Sequence, residues 1–216
     1  MLALYGHLFS SYTWKALIAL YANGTAFEFR EVSPDHPDHA AFVGAASPLG
    51  KFPVLRDGER AVFEASAIIE YLALHHPGPA PLIPADPAAA QAVRQFDRVF
   101  DNYVMNVMQE VVAEQIRRPD TPDHAVRERV HEQLARSYRW IEGWLAHYPQ
   151  GDAISLIECS AAPALFYADW VLPIPEDCPR LRGWRAHLLA LEPVRRCVDD
   201  ARPFRHYFPL GAPDRD

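Results

Sequence analysis

Residues 47–72, SPLGKFPVLRDGERAVFEASAIIEYL, read as loop, strand, tight turn, strand and helix in that order. Ser47-Pro48 and Gly50 punctuate the loop. Pro53-Val54-Leu55 opens a short apolar run, Asp57-Gly58 is a strong hairpin signal, and Ala61-Val62-Phe63 supplies the return strand. Ala67, Ile68, Tyr71 and Leu72 then fall at helical spacing, so the strand feeds straight into a helix. Within a sheet a proline sits at an edge or at the first residue of a strand. A cis bond before Pro53 would turn the N–H and C=O of Phe52 outward, where an extended peptide could pair with them. The helix start after Glu64 offers unpaired N–H groups at the positive end of a helix dipole, which suits an anion. These features suit a pocket for a small peptide with a carboxylate. A plain hairpin packed on a helix fits the same residues.

Upstream, Leu2 to Tyr5 reads as a short buried strand ended by Gly6. Ser10-Ser11 precede a helical pattern of Trp14, Leu17, Ile18 and Tyr21, which Asn23-Gly24 stops. Phe27 to Val32 alternates as a second strand, and a strand-helix-strand unit of this length implies a parallel pair. Residues 33–46, with Pro34, His36, Pro37 and His39, predict a short irregular helix. The sum is a βαβ-αββα unit, the thioredoxin-like arrangement.

Downstream, His75-His76-Pro77-Gly78-Pro79-Ala80-Pro81 ends the helix and begins a linker. The His-His pair suits a helix C-terminus better than a metal. Residues 88–116 lack Gly and Pro and carry Val93, Phe96, Phe100, Tyr103, Val104, Val107, Met108 and Val111 at helical spacing. Pro119 and Pro122 break the pattern, and a second long helix follows over about residues 123–146. Ser155-Leu156-Ile157-Glu158 is a capping box opening an apolar helix, and two short helices near 184–191 and 194–198 precede an irregular tail. The expected organisation is α/β plus all-α: a thioredoxin-like domain over 1–76, a linker over 77–87, and a helical-bundle domain over 88–216.

Half of the 216 residues are hydrophobic and 23% are charged, an ordinary globular balance. A formal net charge of −7 argues against a nucleic-acid or membrane partner. Cys159, Cys178 and Cys197 form no CxxC, which fits reduced, mostly buried thiols and no metal site. No basic n-region precedes the first apolar residues, and no segment reaches the length of a membrane span, so a cytoplasmic protein is expected.

The 47–72 stretch resembles the glutathione-site signature of the glutathione S-transferase family: a G-x-x-P loop, a D-G hairpin, an acidic residue, then A-I-x-x-Y-L. The element order extends the resemblance over the whole chain, and the capping box resembles that of the family's core helix, with Glu158 where Asp is usual. One departure is that Ala65 follows Glu64 where the family usually has Ser, so an N–H remains but a hydroxyl is lost. Tyr5-Gly6-His7-Leu8-Phe9-Ser10 looks like the phi-class opening, and Ser10-Ser11 before Trp14-Lys15 resembles the zeta-class one, with Tyr12 in place of the cysteine of its isomerases.

The resemblance implies glutathione as co-substrate, no metal, a homodimer, and a serine that holds the thiol as thiolate, Ser10 on the sulfur and Ser11 nearer the helix cap. Phe52 and Pro53 would pair with the cysteinyl unit, and Glu64, Ala65 and Ser66 would hold the γ-glutamyl end. Lys51 and His39 would meet carboxylates, and Asp101 would reach a partner's glutathione across the dimer. A small apolar electrophile would lie against Phe9, Tyr103, Met108, Phe166 and Trp170. A scaffold of the same fold without the chemistry, or a glutathione-dependent isomerase or dehalogenase, are the alternatives.

Overall fold

The computed structural model describes residues 1–216. Strand β1 (Leu2–Gly6) lies at the centre of a four-stranded sheet ordered β2-β1-β3-β4. It runs parallel to β2 (Phe27–Glu31), with Leu4 opposite Phe29, and antiparallel to β3 (Val54–Asp57), with Leu4 opposite Leu55. The Asp57-Gly58 hairpin joins β3 to the edge strand β4 (Arg60–Phe63). Because side chains alternate along a strand, β1 serves two layers. Leu2 and Leu4 join the main core with α1 (Ser11–Ala22) and α3 (Ala65–His75), while Ala3 and Tyr5 pack with Val43 of α2 (Pro37–Ala46). The helix expected to be irregular is thus a regular one that Pro37 opens from its first turn.

Asp57 does more than turn the chain. Its Oδ2 accepts from the Tyr71 hydroxyl at 3.0 Å and lies 2.7 Å from His76 Nε2, tying the hairpin to the end of α3. Those bonds, His76 first and Tyr71 second, hold its carboxyl below the usual range. The linker is anchored on both sides: the Ala80 N–H donates to Asn23 Oδ1 at 2.9 Å, and the Leu156 N–H donates to the Leu82 carbonyl at 2.9 Å. Gly78 makes this crossing possible, since a Cβ there would fall 2.6 Å from the Asn23 side chain.

The remainder is helical: α4 (Pro87–Phe100), a π-helical turn over Asp101–Met105, α5 (Asn106–Arg117), α6 (His124–Leu145), α7 (Leu156–Val171), α8 (Pro179–Ala190), α9 (Glu192–Ala201) and a 3-10 turn over Arg202–Tyr207. Every residue of α7 is buried, as expected of a helix apolar all round. Its capping box forms in full: Ser155 Oγ accepts from the Ile157 N–H, and Glu158 Oε2 accepts from the Ser155 N–H at 2.8 Å. The last two helices begin earlier than their apolar spacing implied, because Pro179 and Pro193 start them in the first turn, where a missing N–H costs nothing.

Trp14 joins the sheet layer to the bundle, with its ring 4.9 Å from Phe166 and 5.4 Å from Tyr167 of α7. One continuous buried cluster runs from Leu4 through Trp14 and Leu165 to Trp184. All three cysteines are buried and unpaired, and burial pushes their thiols up. No helix is long and apolar enough to cross a membrane.

Candidate active site

A cleft of about 1500 Å³ opens where β1 meets α1, between the start of α3 and the α4–α5 helices. Ser10, Tyr12, Lys51, Phe52, Pro53, Glu64, Ala65 and Ser66 line one side, and Asp101, Asn102, Asn106, Gln109 and Ala113 line part of the other.

The loop before Ser10 is held from three directions. The Trp14 indole N–H donates to the Leu8 carbonyl at 2.7 Å, the Tyr167 hydroxyl to the Phe9 carbonyl at 2.8 Å, and the Phe9 N–H to His7 Nδ1 at 3.1 Å. Ser10 is the N-cap of α1: its backbone is extended (φ −89°, ψ 124°) and its Oγ accepts from the Thr13 N–H at 3.3 Å. This corrects the expectation that Ser11 is the nearer cap. Ser11 is the first residue with helical geometry, 4% exposed, and does not line the cleft. A cap residue keeps extended backbone, and the chain is already helical at 11.

Glu64 precedes α3 with φ 69°, a region that a residue with a Cβ rarely enters, and it makes no side-chain cap. The first intrahelical bond runs from the Ile68 N–H to the Glu64 carbonyl, which leaves the N–H groups of Ala65, Ser66 and Ala67 without a backbone partner at the positive end of the helix. Next to them the Phe52–Pro53 bond is cis, as expected, and the N–H and C=O of Phe52 enter no backbone hydrogen bond. The cleft thus offers a row of main-chain donors and acceptors ending in an anion site, with the Lys51 side chain free of any ion pair.

Beneath this row lies a charged cluster that sequence reading missed. Lys15 Nζ donates to Asp97 Oδ1 at 2.8 Å, to both oxygens of Asp101 at 2.7–2.8 Å and to Ser66 Oγ at 3.0 Å. Ser66 in turn donates to Asp97 Oδ1 at 3.1 Å, as does Ser160, while Arg98 pairs with Asp97 Oδ2. Burial alone would raise the Asp97 pKa, but Lys15 and the two serines bring it below the ordinary carboxylate value. Asp101 goes the other way, raised by burial and by Asp97 against the pull of Lys15. Asp101, expected to reach across an interface, therefore spends both oxygens on Lys15 of its own chain.

His39 does not line the cleft. Its Nδ1 is 2.7 Å from the Glu31 carbonyl oxygen and its ring stands edge-on to Tyr5. With His36 and Asp38 it forms a group whose ligand atoms lie within 4.8 Å of one another, but at the start of α2, where the helix dipole opposes a cation.

None of the five expected electrophile walls faces the cleft. Met108 and Phe166 are core, Phe9 and Trp170 pack against Tyr167, and Tyr103 is 59% exposed elsewhere. For Tyr103 the cause is the π turn, in which the Asn106 N–H bonds the Asp101 carbonyl five residues back. The extra residue re-phases the helix, so Asn102, Asn106 and Gln109 take the cleft and Tyr103 turns away. On the facing helix Tyr12 donates to Asn106 Oδ1 at 2.7 Å, and burial, with Asp101 and Glu64 close by, pushes its phenol well up.

The model of the glutathione S-transferase N-terminal domain matches residues 4–80, the span that holds most of β1 and all of β2, β3, β4 and α3. Residues 4–80 are a glutathione S-transferase N-terminal domain, and the chain as a whole has the fold of that family. It is 27% identical over 198 residues, 86% of this chain and 92% of the other, to glutathione S-transferase PARB of Nicotiana tabacum. Glutathione transferase F7 of Populus trichocarpa shares the fold at a TM-score of 0.79 and 22% identity, over 93% of this chain and 99% of that one. A Methylobacterium radiotolerans glutathione S-transferase solved with glutathione sulfonate is similar at a TM-score of 0.75 and 26% identity, over 91% and 94%.

Proposed function

We propose that this chain is a glutathione transferase: the cleft binds glutathione, the Ser10 hydroxyl holds its sulfur as thiolate, and the thiolate attacks a small electrophile. The observation that carries the reading is the disposition of hydroxyl protons. Four hydroxyl side chains line the cleft, those of Ser10, Tyr12, Ser66 and Tyr71. Tyr12 gives its proton to Asn106, Ser66 to Asp97 and Tyr71 to Asp57. Ser10 alone only accepts, from the Thr13 N–H, so its own O–H remains a donor into the cleft. One serine can therefore cap α1 and hold a sulfur at the same time.

The rest of the tripeptide follows the main chain. Phe52 pairs with the cysteinyl unit through its N–H and C=O, and the amides of Ala65 and Ser66, with Glu64 beside them, take the γ-glutamyl end. Lys51 meets a carboxylate in the same row. The Lys15–Asp97–Ser66 cluster braces the first turn of α3 from below, which keeps those amides aimed. The reading also includes a homodimer through the 88–116 segment and a glutathione domain ending at the 77–87 linker.

The chemistry asked of Ser10 is modest. A free thiol of pKa about 8.5 is only about 3% ionised at pH 7. A hydrogen bond donated to the charged sulfur, together with the positive end of α1, lowers that value. A shift of about two units would ionise most of the thiol and corresponds to about 2.7 kcal/mol.

The test is a titration of thiolate absorbance with glutathione bound. An apparent thiol pKa about two units below the free value is expected. Glutathione that binds with its thiol pKa unmoved would sink the thiolate mechanism.

A further inference from the structure

We infer that His36, Asp38 and His39 bind one divalent metal ion of the zinc type at the start of α2. None of the three lines the cleft, so the site is separate from the transferase chemistry and does not depend on it.

His39 is the anchor. It is only 8% exposed, and its ring stands edge-on to Tyr5 at 5.5 Å. Its Nδ1 lies 2.7 Å from the Glu31 carbonyl oxygen, which can only accept, so Nδ1 carries a proton and donates it. That bond fixes the ring and leaves the second nitrogen to an ion, the arrangement typical of a metal-ligating histidine. The second nitrogen, Nε2, makes no hydrogen bond to the protein and faces Asp38 Oδ2 at 3.8 Å. This is too long for a hydrogen bond. Two atoms bound to one tetrahedral zinc ion stand about 3.3 Å apart, so the pair needs to close by only about 0.5 Å. His36 completes the set: its ring lies 4.9 Å from that of His39, and one ligand atom from each residue falls within 4.8 Å of the others.

The backbone brings these residues together locally. His36 is the N-cap of α2, Pro37 fixes the first helical residue, and residues three apart share a helix face. The His36 N–H donates to the Ser33 carbonyl and the His39 N–H to the His36 carbonyl, both at 3.1 Å, so the turn is set before any ion arrives. His36 and Asp38 are exposed and reach the ion by rotating their side chains, while the buried ring of His39 stays in place. The dipole of α2 opposes a cation, but its end amounts to about half a positive charge, and Asp38 sets a whole negative charge against it. Two imidazoles and one carboxylate suit zinc, whereas magnesium and calcium take oxygen ligands. Three protein ligands leave a fourth position to water. The ion would also supply what α2 lacks, since the His36 side chain makes no capping hydrogen bond. A metal shared by residues 36, 38 and 39 closes the first turn and ties it, through His39, to the end of β2.

The experiment is calorimetric titration of the tag-free, EDTA-treated full-length protein with zinc chloride, without glutathione, whose own thiol competes for zinc. A thermal melt at saturating zinc is recorded alongside. One zinc ion per chain is expected, magnesium chloride should give no binding heat, and zinc should raise Tm because it binds the folded chain. His36→Ala and Asp38→Asn alter exposed side chains and should leave the fold intact. Each should weaken zinc by about tenfold or more, the least that loss of even an outer-shell partner costs a metal site. His39→Gln, whose amide can still donate to the Glu31 carbonyl, should weaken it at least as far. His75→Gln, in the other histidine pair, should leave zinc binding unchanged. No zinc binding to the wild type, or equal binding in the wild type and all three site variants, would overturn the inference.

Discussion

Lys15 Nζ and Asp97 Oδ1 lie 2.8 Å apart, with side chains 1% and 0% exposed, although 82 residues separate them in the chain. One comes from the first helix of the sheet layer and the other from the first helix of the bundle, so the pair is a polar rivet through the junction of the two halves. Removing one partner of a buried ion pair leaves an uncompensated charge, which costs about 3–5 kcal/mol. Asp97→Asn should lower the free energy of unfolding by that order in urea denaturation, and Lys15→Met should do the same. Replacing both by apolar residues should recover much of the loss.

Asp97 and Asp101 share Lys15 but should respond to acid in opposite ways. The Asp97 pKa is depressed in the fold, so the stability it contributes is present above the unfolded-state value and is lost as pH falls through its folded value. The Asp101 pKa is raised, so the fold takes up its proton first and gains stability as pH falls from above the folded value toward the unfolded one. Urea unfolding measured from about pH 7 down to about pH 3 should therefore show a rise before the acid loss. Asp101→Asn should erase the rise and leave the loss in place.

Ser10→Ala should raise the pKa of the bound thiol and cut turnover at pH 7 while glutathione affinity changes little, the pattern of lost charge stabilisation rather than lost uniform binding. Because Ser10 is also the cap of α1, the same variant should cost about 1 kcal/mol of stability. Ser11→Ala should move neither the thiol pKa nor the cap. A thiol pKa that follows Ser11 instead would reverse the assignment.

Ala65→Ser would place a hydroxyl in the first turn of α3, beside amides that have no backbone partner. One added hydrogen bond to a charged carboxylate should tighten glutathione by about 1.5–3 kcal/mol. Calorimetric titration of the variant against the wild type reads this directly, and an unchanged Kd would place the γ-glutamyl end elsewhere.

Glu64→Gly should relieve the φ of 69° and raise stability by about 1 kcal/mol, the relief partly offset by the chain entropy of glycine. Glutathione affinity should fall in the same variant, since a mobile backbone no longer aims the amides that follow. A variant neither more stable nor weaker in binding would mean that the strain serves no purpose in the site.

Local chemistry was legible from the residues. The Asp57-Gly58 turn, the cis Phe52–Pro53 bond, the helix start at Ala65 and the Ser155–Glu158 box all formed where their short-range signals placed them. Long-range partnerships were not. Nothing near Lys15 announces two aspartates more than eighty residues away, and nothing near Ser66 says that its hydroxyl will be spent on one of them. The wall of the cleft was misread for a related reason. A 3.6-residue period drawn through Phe96, Phe100 and Tyr103 assumes an unbroken α-helix, and the π turn breaks the count at 101. Ser10 and Ser11 differ by one residue, within the range over which sequence leaves helix ends open.

The π turn also makes this cleft editable in an unusual currency. A π turn absorbs one extra residue in a single widened turn, so loss of one residue from Asp101–Met105 would restore α geometry while α4 and α5 kept the faces they now present. Only the side chains inside the turn would change direction. This stretch of the cleft wall can therefore be altered by a single codon deletion, with the sheet, the Ser10 loop and the start of α3 left in their places.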